Sequence, residues 1–136
     1  MNIVIDTNIF ISALIKNSVT RKMLTDFKIN FLIPEFELEE IRNHKQEIIL
    51  KAGYSEREFD ILLLRLLKYV KIAPNDIICK YSKEASEIIE KIDNKDTQFV
   101  AAALAFNCPI WSDDKHFKQQ NRVKILTTKN MIYMLK

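Results

Sequence analysis

Apolar residues occur along the chain in short runs that alternate with longer stretches of helical periodicity. The first run, Asn2 to Ile5, ends at the polar triplet Asp6-Thr7-Asn8, which predicts a buried strand followed by the start of a helix. A second run, Phe31 to Ile33, precedes Pro34, a residue that suits the opening of a helix. Strands that alternate with helices predict an α/β fold with a mostly parallel sheet of about four to five short strands, covered on both faces.

The same periodicity places the other elements. Ser55 and Glu58 form a capping box ahead of a helix that reaches about Tyr69, and Gly53 ends the helix before it. We predict that Pro74 to Asp76 closes the next strand. The remaining strands are predicted at 70–73, 109–112 and 124–126. The other helices are predicted at 9–14, 20–27, 35–51, 85–92, 96–106 and 127–135, with Asp93-Asn94 as a break.

Length and composition indicate one small domain. A chain of 136 residues with 48% hydrophobic content can build one core, so we expect a single domain over 1–136. The apolar stretches Phe99 to Phe106 and Ile61 to Leu67 are shorter than the roughly 20 residues of a membrane-spanning helix. The N-terminus has no secretory signal pattern. We therefore expect a cytoplasmic protein with no membrane partner.

Cysteine and glycine usage exclude several classes of site. Cys79 and Cys108 lie far apart without a C-x-x-C motif, so we interpret both as small buried hydrophobic residues. Gly53 is the only glycine, which excludes the P-loop and the G-x-G-x-x-G nucleotide fold. A net charge of +3 is compatible with a polyanionic partner. If the acids gather in one place, basic residues would surround an acidic pocket suited to a phosphate-rich substrate.

Acidic residues follow the predicted strands. Asp6 ends the first strand, Asp113 and Asp114 follow the 109–112 strand, Glu40 lies in the helix after the second strand, and Asp96 opens a later helix. In open α/β sheets the ligand site lies beyond the carboxyl ends of the strands. Carboxylates gathered there repel one another unless a cation neutralises them, and Mg²⁺ or Mn²⁺ prefers oxygen ligands. The pattern therefore favours metal-assisted hydrolysis of a phosphodiester.

Each acid also has a purely structural explanation. Asp6 could cap the first helix, and Asp96 could interact with the dipole of its own helix. Asp113 and Asp114 could form a turn before Phe117. Glu40 belongs to a run of glutamates that is typical of solvated surface, namely Glu35, Glu37, Glu39 and Glu40.

Taken together, the pattern resembles the PIN-domain ribonucleases, particularly the compact single-domain proteins that include VapC-type toxins. The matching segments run in the same order over essentially the whole chain: Val4 to Asn8, Leu38 to Ile41, Asp96 to Leu104, and Trp111 to Phe117. The resemblance implies a PIN-like three-layer α/β/α fold. It also implies a divalent-metal-dependent endoribonuclease that uses Mg²⁺ or Mn²⁺.

Carried over by position, the family's acids imply that Asp6, Asp96 and Asp114 are catalytic, metal-binding residues. The second acid of the family falls on Glu40, with Glu39 as the next candidate. We take the buried side of this helix to be defined by Phe36, Leu38 and Ile41, which admits either glutamate.

Other polar residues have supporting roles in this interpretation. Asn8 and Ser112 match positions that support the acids, and Asp113 adds a ligand or a hydrogen bond. Asp93 could reach the same rim, although its role as a helix end is favoured. His44 and His116 are interpreted as surface residues or substrate contacts rather than general bases. The candidate phosphate contacts, suggested by proximity to the acids, are Arg42, Lys45 and Lys115.

The resemblance leaves the biological role open. We expect an RNA substrate and hypothesise a toxin that an antitoxin protein silences; family likeness also suggests a homodimer. The alternatives are a housekeeping nuclease of RNA processing or decay and an inactive PIN-fold binding module. A haloacid-dehalogenase-like phosphatase would need a second Asp at the position of Asn8. A receiver domain would need paired N-terminal acids and a suitably placed lysine that we do not find.

Overall fold

A computed structural model of the chain describes residues 1–26, 28–89 and 96–135. The predictions that concern Phe27, Ile92 and Asp93-Asn94 fall outside these residues.

The described residues form a parallel sheet of five strands in the order β3-β2-β1-β4-β5. The strands are β1 (Asn2–Ile5), β2 (Asn30–Pro34), β3 (Val70–Ala73), β4 (Ile110–Trp111) and β5 (Ile125–Leu126). All the pairings are parallel, which confirms the predicted α/β fold. The register pairs Val4 with Leu32 on one side of β1 and Ile5 with Trp111 on the other.

Helices cover both faces of the sheet. They are α1 (Thr7–Ile15), α2 (Val19–Leu24), α3 (Glu37–Asn43), α4 (Lys45–Ala52), α5 (Glu56–Leu67), α6 (Asn75–Ile78), α7 (Ser82–Ile89), α8 (Thr97–Phe106) and α9 (Thr128–Met134). Short 3-10 helices span Cys79–Tyr81 and Lys115–Gln119. None of the helices within the described ranges is both long and apolar enough to span a bilayer.

Successive residues of the strands point to opposite faces of the sheet and pack into two hydrophobic cores. Ile3, Ile5 and Trp111 point to the core formed with α1 to α5 and α9, whereas Val4 and Ile110 point to the core formed with α6 to α8. This alternation follows from the two-residue period of a β-strand. Because both faces are covered, the strands must be apolar at nearly every position, as their sequences are.

The structure departs from the predicted elements at three places. The predicted 35–51 helix is two helices, α3 and α4, which meet at His44, where the backbone leaves helical geometry. The His44 ring bonds Glu40 and Glu47 across this junction. The predicted turn after β3 is the short helix α6. Neither cysteine is fully buried as predicted, because Cys79 is exposed and Cys108 is half-buried.

Two residues in left-handed backbone conformation end helices. Gly53 follows α4 with φ +73°, and its N–H donates to the Ile49 carbonyl at 2.9 Å. Asn107 follows α8 with φ +48°. Glycine and asparagine tolerate this conformation, so both helices stop where the chain must turn. The turn at Asn107 returns the chain to the sheet, where β4 begins alongside β1.

Candidate active site

The sheet topology creates a crevice at the carboxyl ends of β1 and β4. Strand β1 lies between β2 and β4, so the chain runs to one side of β1 first and later returns on the other side. Ligand sites of open parallel sheets lie at such switch points. Asp6 directly follows β1, and Ser112, Asp113 and Asp114 directly follow β4, so all four residues lie at this crevice.

Asp6 is buried, with 5% of its surface exposed, and its two oxygens have different partners. Oδ1 accepts a hydrogen bond of 2.8 Å from the Ile9 N–H and caps α1, so the capping explanation is correct for this residue. Oδ2 accepts a hydrogen bond from the Ser112 hydroxyl. A carboxylate has about four lone-pair sites. Both oxygens therefore keep capacity to bind a cation.

The buried position of Asp6 opposes its ionisation. Burial raises the pKa of this carboxyl from 3.8 to about 6, against the lowering effect of the hydrogen bonds from Ser112 and Ile9. The charges of Asp114 and Asp113 raise it further. A bound cation would reverse this balance, because an opposite charge favours the ionised carboxylate.

Ser112 connects the Asp6 carboxylate, which follows β1, to the backbone of Asp114, which follows β4. Its side chain is fully buried, and its Oγ donates to Asp6 and accepts from the Asp114 N–H at 3.0 Å. Asp114 in turn accepts a hydrogen bond of 2.9 Å from the His116 N–H through Oδ1, which caps the 3-10 helix Lys115–Gln119. The Asp114 carboxylate is therefore held next to the Ser112–Asp6 pair.

Three side chains offer ligand atoms at one point. Asp96, Asp114 and His116 each place one ligand atom so that these atoms all lie within 4.8 Å of one another. Asp96 is buried at the start of α8, where it makes no side-chain cap hydrogen bond to its own helix. Carboxylate oxygens are the ligands that Mg²⁺ and Mn²⁺ prefer. The donor set therefore fits a divalent cation.

His116 is a functional candidate that the sequence analysis placed outside the metal ligands. Its Nδ1 lies 3.5 Å from Asp114 Oδ1. The signal was its position two residues after Asp114, because the tight turn of a 3-10 helix brings the side chain back toward the first residue.

Glu37 is an acid that the sequence analysis did not select. It is buried, with 6% of its surface exposed, and its Oε2 accepts a hydrogen bond of 2.8 Å from the Thr7 hydroxyl. Burial raises its pKa, and the charges of Glu40 and Asp6 raise it too. Glu37 therefore brings α3 into electrostatic contact with the acids at the end of β1.

The predicted inner side of α3 is correct at Ile41 and wrong at Phe36. Phe36 is 57% exposed and Leu38 is only partly buried, whereas Glu37 and Ile41 point inward. Positions four residues apart lie on one helix face, so this pair defines the buried side. Spacing from Ile41 was the signal that could have identified Glu37.

Glu40 and Glu39, the predicted second acid and its alternative, are both exposed. Glu40 Oε1 lies 3.2 Å from His44 Nε2. Its effect on the pKa of Glu37 places Glu40 near the site, on the outer side of α3. The structure thus brings Asp6, Asp96 and Asp114 to one crevice and leaves Glu40 at its edge.

The predicted supporting residues line the crevice. Asn8 is exposed and borders a cavity of about 330 Å³, whose acidic lining residues are Asp6, Asp113 and Asp114. Asp113 accepts hydrogen bonds from the Thr128 N–H at 2.7 Å and from its hydroxyl at 2.6 Å. Asp113 therefore attaches helix α9 to the wall of the site.

The predicted phosphate contacts differ in their surroundings. Lys45 forms an ion pair with Asp60 at 3.1 Å, and its ammonium lies 5.7 Å from the centre of the Phe59 ring. Arg42 and Lys115 are exposed. Lys45 is therefore already engaged with α5.

The fold and the site together define a three-layer α/β protein whose acidic residues meet at a topological switch point, in an arrangement able to hold a cation. A family model described as "PIN domain" matches residues 4–136. The chain belongs to the PIN-domain family, whose members are generally nucleases. No curated protein matches the chain.

The raised pKa of Asp6 makes stability depend on pH. The folded state favours the protonated carboxyl of Asp6. The contribution of this protonated group to the free energy of unfolding is therefore fully present below pH 3.8 and is lost as the pH rises through about 6. Ionised Asp6 then costs on the order of 3 kcal/mol in the metal-free protein. Asp6→Asn keeps an oxygen for the helix cap and stays neutral. We expect urea unfolding in EDTA to show that this variant is the more stable protein at pH 8, with little difference at pH 4.

The matched control is Asp76→Asn, which neutralises an exposed acid on α6. Its stability should follow the wild-type pH profile. Parallel profiles for Asp6→Asn and wild type would show that burial does not penalise the Asp6 charge.

Proposed function

We propose that this chain is a divalent-metal-dependent endoribonuclease that hydrolyses RNA phosphodiester bonds. The observation that carries the proposal is the convergence of ligand atoms from Asp96, Asp114 and His116 within 4.8 Å, beside the buried carboxyl of Asp6. Membership of the PIN-domain family supports the nuclease class, and the oxygen-rich donor set supports the cation.

The position of each residue in the site indicates its proposed role. Asp96 and Asp114 would hold the cation together with Asp6, whose carboxylate Ser112 links to the Asp114 backbone. A divalent cation supplies Lewis-acid chemistry, which activates water and stabilises the leaving oxygen. Ser112 would fix the orientation of the Asp6 carboxylate and the position of the Asp114 backbone. Preset orientation matters because small misplacements of reacting groups slow a reaction strongly.

The choice between Mg²⁺ and Mn²⁺ depends on His116. Carboxylates accept either ion, whereas an imidazole nitrogen is a ligand that suits transition metals better than Mg²⁺. With His116 in the ligand set, Mn²⁺ is the cation that the site favours. His116 outside the set would leave a site of oxygen donors in which Mg²⁺ serves equally well.

Glu37 is the acid of α3 that we propose as the fourth member of the site, with Glu40 as the alternative taken from the family pattern. Glu37 is buried, and the charge of Asp6 contributes to its raised pKa. Glu40 is exposed and contacts His44. An exposed carboxylate at the crevice edge is better placed to contact a cation carried with the substrate than to form part of the buried centre.

The cleavage assay tests the activity itself. Purified protein is incubated with structured and single-stranded RNA in Mg²⁺, Mn²⁺ or EDTA. We expect cleavage with either cation and none in EDTA. Asp6→Asn, Asp96→Asn and Asp114→Asn should each reduce the rate at least about 100-fold, because each removes a charged oxygen ligand. Cleavage that persists in EDTA or in all three variants would contradict the metal mechanism, and RNA binding without cleavage would favour the inactive binding module.

A pair of variants on one helix decides the second acid. If Glu37 belongs to the buried centre, Glu37→Gln should weaken Mn²⁺ binding by about tenfold or more, whereas Glu40→Gln should change it by less than about threefold. The two substitutions remove the same charge from α3, so they control for each other. Affinity is measured with Mn²⁺ alone, by titration of the metal-free protein. The reverse order of effects would assign the role to Glu40.

Within this activity we propose the role of a toxin that cleaves cellular RNA in the cytoplasm, is silenced by an antitoxin protein and works as a homodimer. The likeness to compact PIN proteins motivates this role, and a PIN match over residues 4–136 supports the nuclease class on which it rests. The alternative is a housekeeping nuclease of RNA processing or decay.

Controlled expression in a bacterial host separates the two roles. A toxin should stop growth, and Asp114→Asn should restore it at the same protein level, because the variant lacks a ligand of the proposed cation. A neighbouring gene for a small DNA-binding protein should also restore growth when expressed together with the wild type. Unimpaired growth with active wild-type protein would favour the housekeeping role.

A further inference from the structure

A basic segment follows the acidic centre directly in the sequence. Residues 115–124 come immediately after the Asp113-Asp114 pair and contain no acidic residue. The positively charged side chains of this segment are Lys115, Lys118, Arg122 and Lys124, whereas His116 belongs to the proposed metal site. The whole chain carries a net charge of only +3, so this is a local concentration of positive charge.

The segment has a fixed shape. Phe117 is buried and packs edge-on against Phe99, with ring centroids 6.2 Å apart. The Gln120 amide donates to the carbonyls of Phe117 at 2.8 Å and Val123 at 2.9 Å, and it accepts from the Val123 N–H at 2.8 Å. A surface that is ordered before binding loses less entropy when a ligand arrives.

The basic side chains border a shallow depression of the surface. Lys118, Arg122 and Lys124 line this open depression together with Gln120 and Asn121. Arg122 contacts Glu84 at 2.5 Å, and 59% and 43% of the two side chains are exposed. Exposed ion pairs of this kind contribute little to stability, so a phosphate can replace Glu84 at low cost.

The segment leads away from the acidic centre. It starts beside Asp114 and ends where β5 begins, at the other end of that strand from the crevice. Its five-residue 3-10 helix is about 10 Å long, which is the span of a few stacked nucleotides. An RNA chain with one phosphate at Asp114 can therefore place its neighbouring phosphates along residues 115–124.

We infer that residues 115–124 bind the RNA backbone on one side of the bond to be cleaved; this inference rests on the proposed function. The acidic centre repels phosphate when no cation is bound, so the free energy of RNA binding must come from other residues. Among the predicted phosphate contacts, Lys45 is already paired with Asp60. Lysine, arginine and side-chain amides contact phosphate and sugar without reading the base sequence, so this surface holds RNA of any sequence.

The test measures RNA binding without cleavage. Fluorescently labelled single-stranded RNA is titrated with the full chain in EDTA over a series of salt concentrations. For Lys118→Gln/Lys124→Gln we expect the slope of log affinity against log salt to become shallower by about 1.4, since each lost phosphate contact removes about 0.7. Affinity at low salt should fall about tenfold. Both lysines are exposed, so the urea midpoint should not change.

The control is Lys68→Gln/Lys71→Gln, which removes the same charge beside β3 at the opposite edge of the sheet. It should keep the wild-type slope. If the slope changes equally in both double variants, the effect is due to net charge alone and the inference is overturned. An unchanged slope in Lys118→Gln/Lys124→Gln would overturn the inference too. The same holds if this double variant loses binding to a polyglutamate peptide but keeps RNA binding, because the surface would then bind acidic proteins and not RNA.

The same samples separate this inference from the proposed function. Cleavage is measured in parallel after Mn²⁺ is added. Suppose that the wild-type protein binds RNA without cleaving it, and that only Lys118→Gln/Lys124→Gln has a shallower slope. This result would contradict the nuclease and support the proposed RNA-binding surface. Cleavage with no difference in slope, or with no RNA binding in EDTA, would contradict the surface and leave the nuclease intact.

Discussion

The hydroxyl of Ser112 joins the ends of two neighbouring strands, and the acidic centre depends on this connection. It donates to the Asp6 carboxylate and accepts from the Asp114 N–H, so one small buried side chain sets the relative position of two acids that lie far apart in the sequence. Asp6 also caps α1 through Ile9. The fold therefore holds the carboxylates close together. Burial raises the pKa of Asp6, and the charges of Asp114 and Asp113 raise it further. A site built in this way has stored an electrostatic cost that a cation can offset.

The parts of this arrangement that could be predicted from sequence are those that the parallel sheet dictates. Asp6 and Asp114 follow strands that are buried on both faces, and the carboxyl ends of such strands meet at one edge. The apolar runs of β1 and β2 were legible for the same reason, as was the capping box of Ser55 and Glu58. Ser112 could be assigned a supporting role only through family likeness, since a serine after a strand has no distinctive pattern.

The parts that could not be predicted depend on tertiary packing. A run of four glutamates in 35–40 gives no direct indication of which one turns inward, and an exposed Phe36 disguises the inner side of α3. The inward position of Glu37 is set by Ile41 and by the Thr7 hydroxyl, thirty residues away in the chain. His116 was underestimated because its approach to Asp114 requires a 3-10 turn, which short sequence patterns do not specify. At the junction of α3 and α4, the His44 side chain bonds Glu40 and Glu47, and the helical pattern of 35–51 does not predict this break.

The distribution of charge separates two tasks that a phosphodiesterase must combine. A centre of carboxylates can take part in chemistry at one phosphate only when a cation is present, and it repels every other phosphate of the polymer. Positive charge placed within the centre would pair with the carboxylates and compete with the cation for them. Most of the positive charge of the 115–124 segment, on Lys118, Arg122 and Lys124, instead follows Phe117 in the chain, where it attracts the backbone and leaves the carboxylates available to the cation. The order of acids, buried Phe117 and bases along the chain therefore separates two kinds of charge that would neutralise each other in close contact.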